Sequence, residues 1–149
     1  MKVGLLARRL AHSAGIPVSP LEKISAQRLP FAELLGIEFL TAEADRVVAK
    51  MSIREDLCTV GGIAHGGAIM SLADTVGAVA TIINLPEGAR GTATIESKTN
   101  FIGPAPAGST VVATATAVHR GRRTQVWSTK VESEDGRLVA VVTQTQMVL

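Results

Sequence analysis

The chain has 149 residues, 46% hydrophobic and 19% charged, with a net charge of +2; that describes one folded domain and excludes a disordered chain. Aromatic residues make up only 3% (Phe31, Phe39, Phe101 and Trp127, with no Tyr), which argues against a nucleic-acid binder that stacks bases. No uninterrupted apolar run reaches the ~18–20 residues of a membrane-spanning helix, the single cysteine, Cys58, excludes an intrachain disulfide, and His12, His65 and His119 lack metal-ligand spacing.

Residues 1–28 hold five basic residues and one acid (Lys2, Arg8, Arg9, Lys23 and Arg28 against Glu22), so the body is mildly acidic and the excess basicity lies in this N-terminal extension. Over residues 1–14 the apolar positions Val3, Leu6, Ala7, Leu10 and Ala14 recur at helical spacing, with Arg8 and Arg9 opposite. Gly15, Pro17 and Pro20 stop that helix. The segment reads as a helical extension or docking arm in preference to a mitochondrial-type targeting segment. It lacks the apolar core of a secretory signal, so the expected location is the cytoplasm. The domain proper is expected over 29–149.

Residues 30–35, PFAELL, predict a short helix with Pro30 in its first turn and Gly36 at its end. Strands follow around 37–43 and 47–53, joined at Ala44-Asp45. A loop with Gly61-Gly62 leads into one long helix, from Gly66 to about Leu85, closed by Pro86 and Gly88. Four strands complete the chain near 92–102, 110–119, 124–133 and 138–148. Arg120-Gly121-Arg122 and Glu134-Asp135-Gly136 mark tight hairpins between the last three. One helix among hairpins implies an α+β domain with an antiparallel sheet of about six strands against the helix.

The long helix has no polar face, which predicts burial on all sides. Its one acid is Asp74. A lone buried carboxylate is costly unless paired; it is either a structural group bound by a neighbouring donor or a nucleophile or general base. His65-Gly66-Gly67 opens the same helix, where backbone N–H groups lack partners and glycine lets a ligand come close. That is a carbonyl-polarising arrangement. Gly66 and Asp74 are eight positions apart, roughly 12 Å along the axis at 1.5 Å per residue. Acting on one carbon, they must come from different subunits, which predicts a homodimer with two equivalent sites.

The stretches HGGAIMSLAD (65–74), KTNFIGPAPAGS (98–109), VHRGRRTQVW (118–127) and DGRLVA (135–140) resemble the hotdog-fold acyl-CoA thioesterases. The likeness is to the phenylacetate-pathway (PaaI-type) and Arthrobacter-type 4-hydroxybenzoyl-CoA group, over residues 30–149. It implies a hotdog fold, a long helix wrapped by a curved sheet. It further implies dimers joined edge to edge, pairing of dimers into tetramers, and active sites at the dimer interface. By position it implies Asp74 as the catalytic carboxylate, Gly66 N–H as the group that polarises the carbonyl, His65 as a shaper of that loop, and Thr94 as a hydroxyl near the attacking water. One departure is Thr59, where relatives carry Asn or Gln to position water or thioester; its hydroxyl is shorter and lacks an amide's donors. Whether Asp74 attacks directly or activates water stays open.

The turn Arg120-Gly121-Arg122-Arg123 concentrates positive charge in an acidic body. It reads as a solvated hairpin tip or as a phosphate site, and the resemblance favours contacts to coenzyme A by at least one arginine. Gly67, Asn100 and Phe101 are the remaining candidate substrate contacts, and Trp127 reads as core or subunit contact. The expected activity is hydrolysis of an aryl- or medium-chain acyl-CoA with no metal or cofactor and no nucleic-acid or membrane partner. A non-catalytic acyl-CoA sensor on the same fold is the alternative; a hydratase fits less well, since it needs an acid paired with a histidine.

Overall fold

A computed structural model describes residues 18–149, which form three α-helices and one six-stranded antiparallel sheet. The expected helix over 1–14 lies outside the described residues. α1 (Pro20–Ala26) is an element that the sequence reading did not assign, because it took Pro20 as a breaker. Pro20 is the first helical residue, where its missing N–H costs nothing. Ser19 and Glu22 form a reciprocal capping box: Glu22 Oε2 accepts from the Ser19 N–H at 2.7 Å, and Ser19 Oγ accepts from the Glu22 N–H at 3.2 Å. α1 lies on the first strand and buries Ile24.

α2 (Pro30–Leu35) matches the expectation, closed by Gly36 in the left-handed region at φ +71°. The Arg54 guanidinium donates to the terminal carbonyls of Leu34 and Leu35 at 3.2 and 3.0 Å and so pins this helix end. β1 (Ile37–Ala42) and β2 (Arg46–Ser52) form a hairpin in which Glu43 and Arg46 exchange backbone hydrogen bonds across Ala44-Asp45. α3 (Gly66–Ile82) stops three residues before the expected Leu85. There Asn84 Nδ2 donates to Ala80 O and to Ala44 O, both at 2.8 Å, tying the helix end to the β1–β2 turn.

β3 (Thr92–Phe101), β4 (Thr110–Arg120), β5 (Thr124–Ser133) and β6 (Leu138–Val148) follow the expected ranges to within a residue. The sheet order is β1-β2-β4-β5-β6-β3. β4, β5 and β6 are successive hairpins as read, but β3 pairs with β6 at the far edge of the sheet and not with β4.

Alternate residues of the central strands face α3: Val111, Ala113 and Ala115 on β4, Trp127 and Val131 on β5, Ala140 and Val142 on β6. They bury Ile69, Leu72, Val76 and Ala80 of the helix. Alanine on both surfaces keeps the sheet close to the helix axis. Trp127 is core; its Nε1–H donates to Thr81 Oγ1 at 2.9 Å. The expectation that α3 is buried on all sides does not hold in the single chain. The sheet covers one side, and Met70, Ser71, Asp74, Thr75 and Ala78 stay partly accessible on the other. Among the described residues no helix is long and apolar enough to cross a membrane.

Candidate active site

Asp74 projects from the middle of α3 at the margin between its covered and open sides. Its Oδ1 accepts from Gln144 Nε2 at 2.6 Å and from Thr94 Oγ1 at 3.1 Å. Gln144 Nε2 also reaches the Asp74 carbonyl at 3.2 Å. Thr94 Oγ1 in turn accepts from Gln146 Nε2 at 2.8 Å, and Thr92 Oγ1 donates to Gln146 Oε1 at 2.8 Å. These bonds link Thr92, Gln146, Thr94, Asp74 and Gln144 across β3, β6 and α3. Asp74 Oδ2 accepts from none of the described residues.

The strand register explains how Thr94 arrives there. β3 pairs regularly with β6 except for a bulge at Ile95, between Thr94 and Glu96. Side chains alternate along a strand, so Thr94 and Phe101 would face opposite sides of a regular β3. The extra residue shifts the alternation. Thr94 therefore meets Asp74, and Phe101 packs over Gly66, its ring 3.0 Å from where a Gly66 side chain would begin. The same register puts Asn100 on the opposite face from Phe101.

At the start of α3, His65 caps the helix: its Nδ1 accepts from the Gly67 N–H at 2.9 Å. Ala68 and Ile69 donate to the His65 carbonyl. Of the two glycine amides, Gly67 is thus occupied, while Gly66 N–H meets no acceptor among the described residues. A free N–H at a helix start is suited to stabilising negative charge.

A groove runs along the open side of α3. One hollow of about 250 Å³ is lined by Phe31, Asp74, Thr75, Ala78 and Ile82, and another of about 230 Å³ by Phe31, Met70, Ser71, Asp74 and Ser97. A third, towards the helix start, adds Cys58, His65 and Gly67, again beside Phe31. Phe31, 55% exposed on α2, thus borders all three. Thr59 lines neither hollow that holds Asp74; its hydroxyl donates to Ile63 O within its own loop at 3.3 Å.

The basic turn divides. Arg120 Nη1 donates to Ala44 O at 3.0 Å and to Asn84 Oδ1 at 3.3 Å, so this guanidinium, expected to meet substrate, is engaged in holding the far end of α3. Arg122 and Arg123 at the tip are exposed and form no ion pair with the described residues.

Sequence reasoning missed Gln144, Gln146 and Phe31. A signal for the glutamines was present. Ala140 and Val142 mark the inward positions of β6, and counting on by two reaches Gln144 and Gln146, both fully buried. Phe31 carries no such mark, since its role depends on where α2 docks.

Residues 61–140 match the sequence profile described as the Thioesterase superfamily. The 1,4-dihydroxy-2-naphthoyl-CoA hydrolase of Listeria monocytogenes is 32% identical over 111 residues, covering 73% of this chain and 87% of that protein. The acyl-coenzyme A thioesterase PaaI of Escherichia coli is 30% identical over 112 residues, covering 74% of this chain and 76% of that one. Among solved structures, AziG of S. sahachiroi superposes with a TM-score of 0.78 at 33% identity, covering 83% of this chain and 98% of that one.

Proposed function

The chain belongs to the thioesterase superfamily, as a PaaI-type protein with the hotdog fold, and from that premise we propose that it hydrolyses the thioester of an aryl- or medium-chain acyl-CoA to the free acid and coenzyme A. The observation that carries this reading is the state of Asp74. The only carboxylate on α3 is bound through one oxygen by Gln144 and Thr94 and borders an accessible groove. A structural carboxylate has no need of the groove.

The thioester lies across the seam of a homodimer. Gly66 and Asp74 of one chain are about 12 Å apart along α3, too far to act on one carbonyl. Two antiparallel copies of α3, packed by their open sides, bring Asp74 of each beside the partner subunit's Gly66. The partner's Gly66 N–H takes the negative charge that develops on the carbonyl oxygen. In the general-base form, water gives a proton to the Asp74 carboxylate as its oxygen bonds to the carbonyl carbon. The intermediate then collapses, the C–S bond breaks, and the leaving sulfur takes the proton back from Asp74. In the nucleophilic form the carboxylate oxygen bonds to the carbonyl carbon first, the thiolate leaves, and water hydrolyses the anhydride.

The same arrangement gives coenzyme A a direction. Asn84, held by Arg120, is ten residues beyond Asp74, about 15 Å along the axis. Arg122 and Arg123 then stand at the far end of an extended pantetheine arm, where their forked donors suit phosphate. The His65 cap keeps Gly67 N–H occupied and leaves Gly66 as the polarising amide.

Release of thiol from a panel of acyl-CoAs, followed with DTNB, tests the reading. Wild type should hydrolyse at least one aryl or medium-chain member. Asp74→Ala should fall by about 10²–10⁴-fold in kcat, the usual range for losing a positioned acid–base group. Full activity in a folded Asp74→Ala protein would overturn it.

A further inference from the structure

We infer that Gln144 is a positioning residue for this reaction: lodged in the gap left by Gly77, it fixes one oxygen of Asp74 and leaves Oδ2 as the oxygen that meets substrate or water. The inference rests on the proposed role of Asp74. Gln144 is fully buried on β6, where the preceding inward positions, Ala140 and Val142, are apolar and the next, Gln146, is a second buried amide. Its Nε2 serves both nearby Asp74 oxygens, Oδ1 at 2.6 Å and the carbonyl at 3.2 Å, and lies 3.5 Å from Thr94 Oγ1. Turning the amide over would set Oε1 against both oxygens, so its orientation is determined.

Two local costs are concentrated at this point. Gln144 Oε1 is buried without a partner, which an apolar side chain of the same length would avoid. Gly77 stands in the middle of α3, where alanine is the better helix former. They share one cause. A side chain at Gly77 would begin 2.8 Å from Gln144 Cδ and closer still to Oε1, and its nearest neighbours are all atoms of Gln144. The glycine makes room for the amide, and the amide grips the carboxylate. Local rules broken together, beside the one carboxylate of the helix, mark a functional constraint.

Thr94 completes the grip. Its oxygen accepts from Gln146 Nε2, which leaves its one hydrogen directed to Asp74 Oδ1. Oδ1 then holds two donors and Oδ2 none among the described residues. A carboxylate bound this way is held in one orientation.

A double-mutant cycle tests the lock. Gln144→Met keeps the length and removes the donor; kcat should fall about tenfold to a hundredfold, the range for removing a hydrogen bond to a charged or supporting group, with KM within about twofold. Gly77→Ala should reproduce this loss by displacing the amide. Combined with Gln144→Ala, it should add less than about twofold to the loss that Gln144→Ala causes alone. The Gln144 side-chain amide resonance should shift in Asp74→Asn and in Gly77→Ala, a readout that needs no turnover. Unchanged kcat in folded Gln144→Met, multiplicative losses in the cycle, or an unmoved resonance would each overturn the lock. If Gly77→Ala fails to fold, Gln144→Met and the resonance in Asp74→Asn decide. Absence of hydrolysis across the acyl-CoA panel would remove the proposed activity and leave the resonance to judge the lock.

Discussion

The two sides of α3 have different neighbours although they are built from similar residues. Ile69, Leu72 and Val76 lie against the sheet and are buried, whereas Met70 and Ala78 on the open side stay partly accessible. Asp74 stands between them, gripped from the covered side by Gln144 and reached from the open side by the groove. An apolar surface shows that a helix will be covered and does not say by what. Six strands suffice for one side. On the proposed reading the second side is reserved for another copy and for the acyl chain.

Opposite lysines on this helix should separate the two sides most sharply. Leu72→Lys puts an unpaired charge into the sealed core, where nothing can pair it, and should abolish folding; circular dichroism would show the loss. Met70 lies midway between Gly66 and Asp74, and so near the two-fold axis of the proposed dimer. Met70→Lys should leave the secondary structure intact, shift sedimentation towards the monomer, and lower kcat/KM by more than about a hundredfold, because each site loses the amide from its partner. A fully active, dimeric Met70→Lys protein would break the comparison, since the open side would then need no partner.

How much of this was legible in the sequence follows from the range of each signal. PFAELL with Gly36, the long apolar helix and the last three strands are stated locally, by period and by turn residues, and they match within a few residues. Asp74 and Thr94 could be named in advance, one as the sole acid on its helix and the other by resemblance; the sequence did not indicate that they touch. That contact needs β3 at the far edge beside β6 and an extra residue at Ile95 to turn Thr94 inward. Neither is encoded in local periodicity, because strand order is set by how the chain crosses the sheet. α1 is the opposite case: its signal, Ser19-Pro-Leu-Glu22, is present and local, but a proline that reads as a helix breaker is here the first helical residue. The division of the basic turn depends on Asn84 lying within reach of Arg120, a pairing across 36 positions.

The basic turn offers a milder test of the same contrast, between residues committed within the chain and residues left open. The paired change Arg122→Ala and Arg123→Ala should raise KM for an acyl-CoA by about threefold to tenfold, the modest range for exposed charge-assisted contacts. KM for the matching acyl-pantetheine, which lacks the nucleotide phosphates, should not change. Arg120→Ala should instead lower the melting temperature, since its bonds run to Ala44 and Asn84. Equal effects of the paired change on both substrates would place the coenzyme elsewhere.

The smallest effect is expected at α1, which packs on β1 and has no part in the proposed chemistry. The backbone N–H of Ser19, and then its hydroxyl, hold the Glu22 carboxyl below the ordinary glutamate range. A carboxylate with a depressed value in the folded state adds stability above its unfolded value. That stability is lost as pH falls through the lower, folded value. Acidification from neutral pH should therefore leave α1 protected until the solution is below the ordinary glutamate range, and then release its amides to hydrogen exchange before those of α3. Glu22→Gln, which cannot ionise, should remove this acid step while kcat at neutral pH stays within about twofold of wild type, as for a surface change away from the site. If α1 and the core of α3 lost protection together, the capping box would belong to the same cooperative unit as the covered side of the helix, and the contrast between a closed interior and independent surroundings would have to be redrawn to include α1.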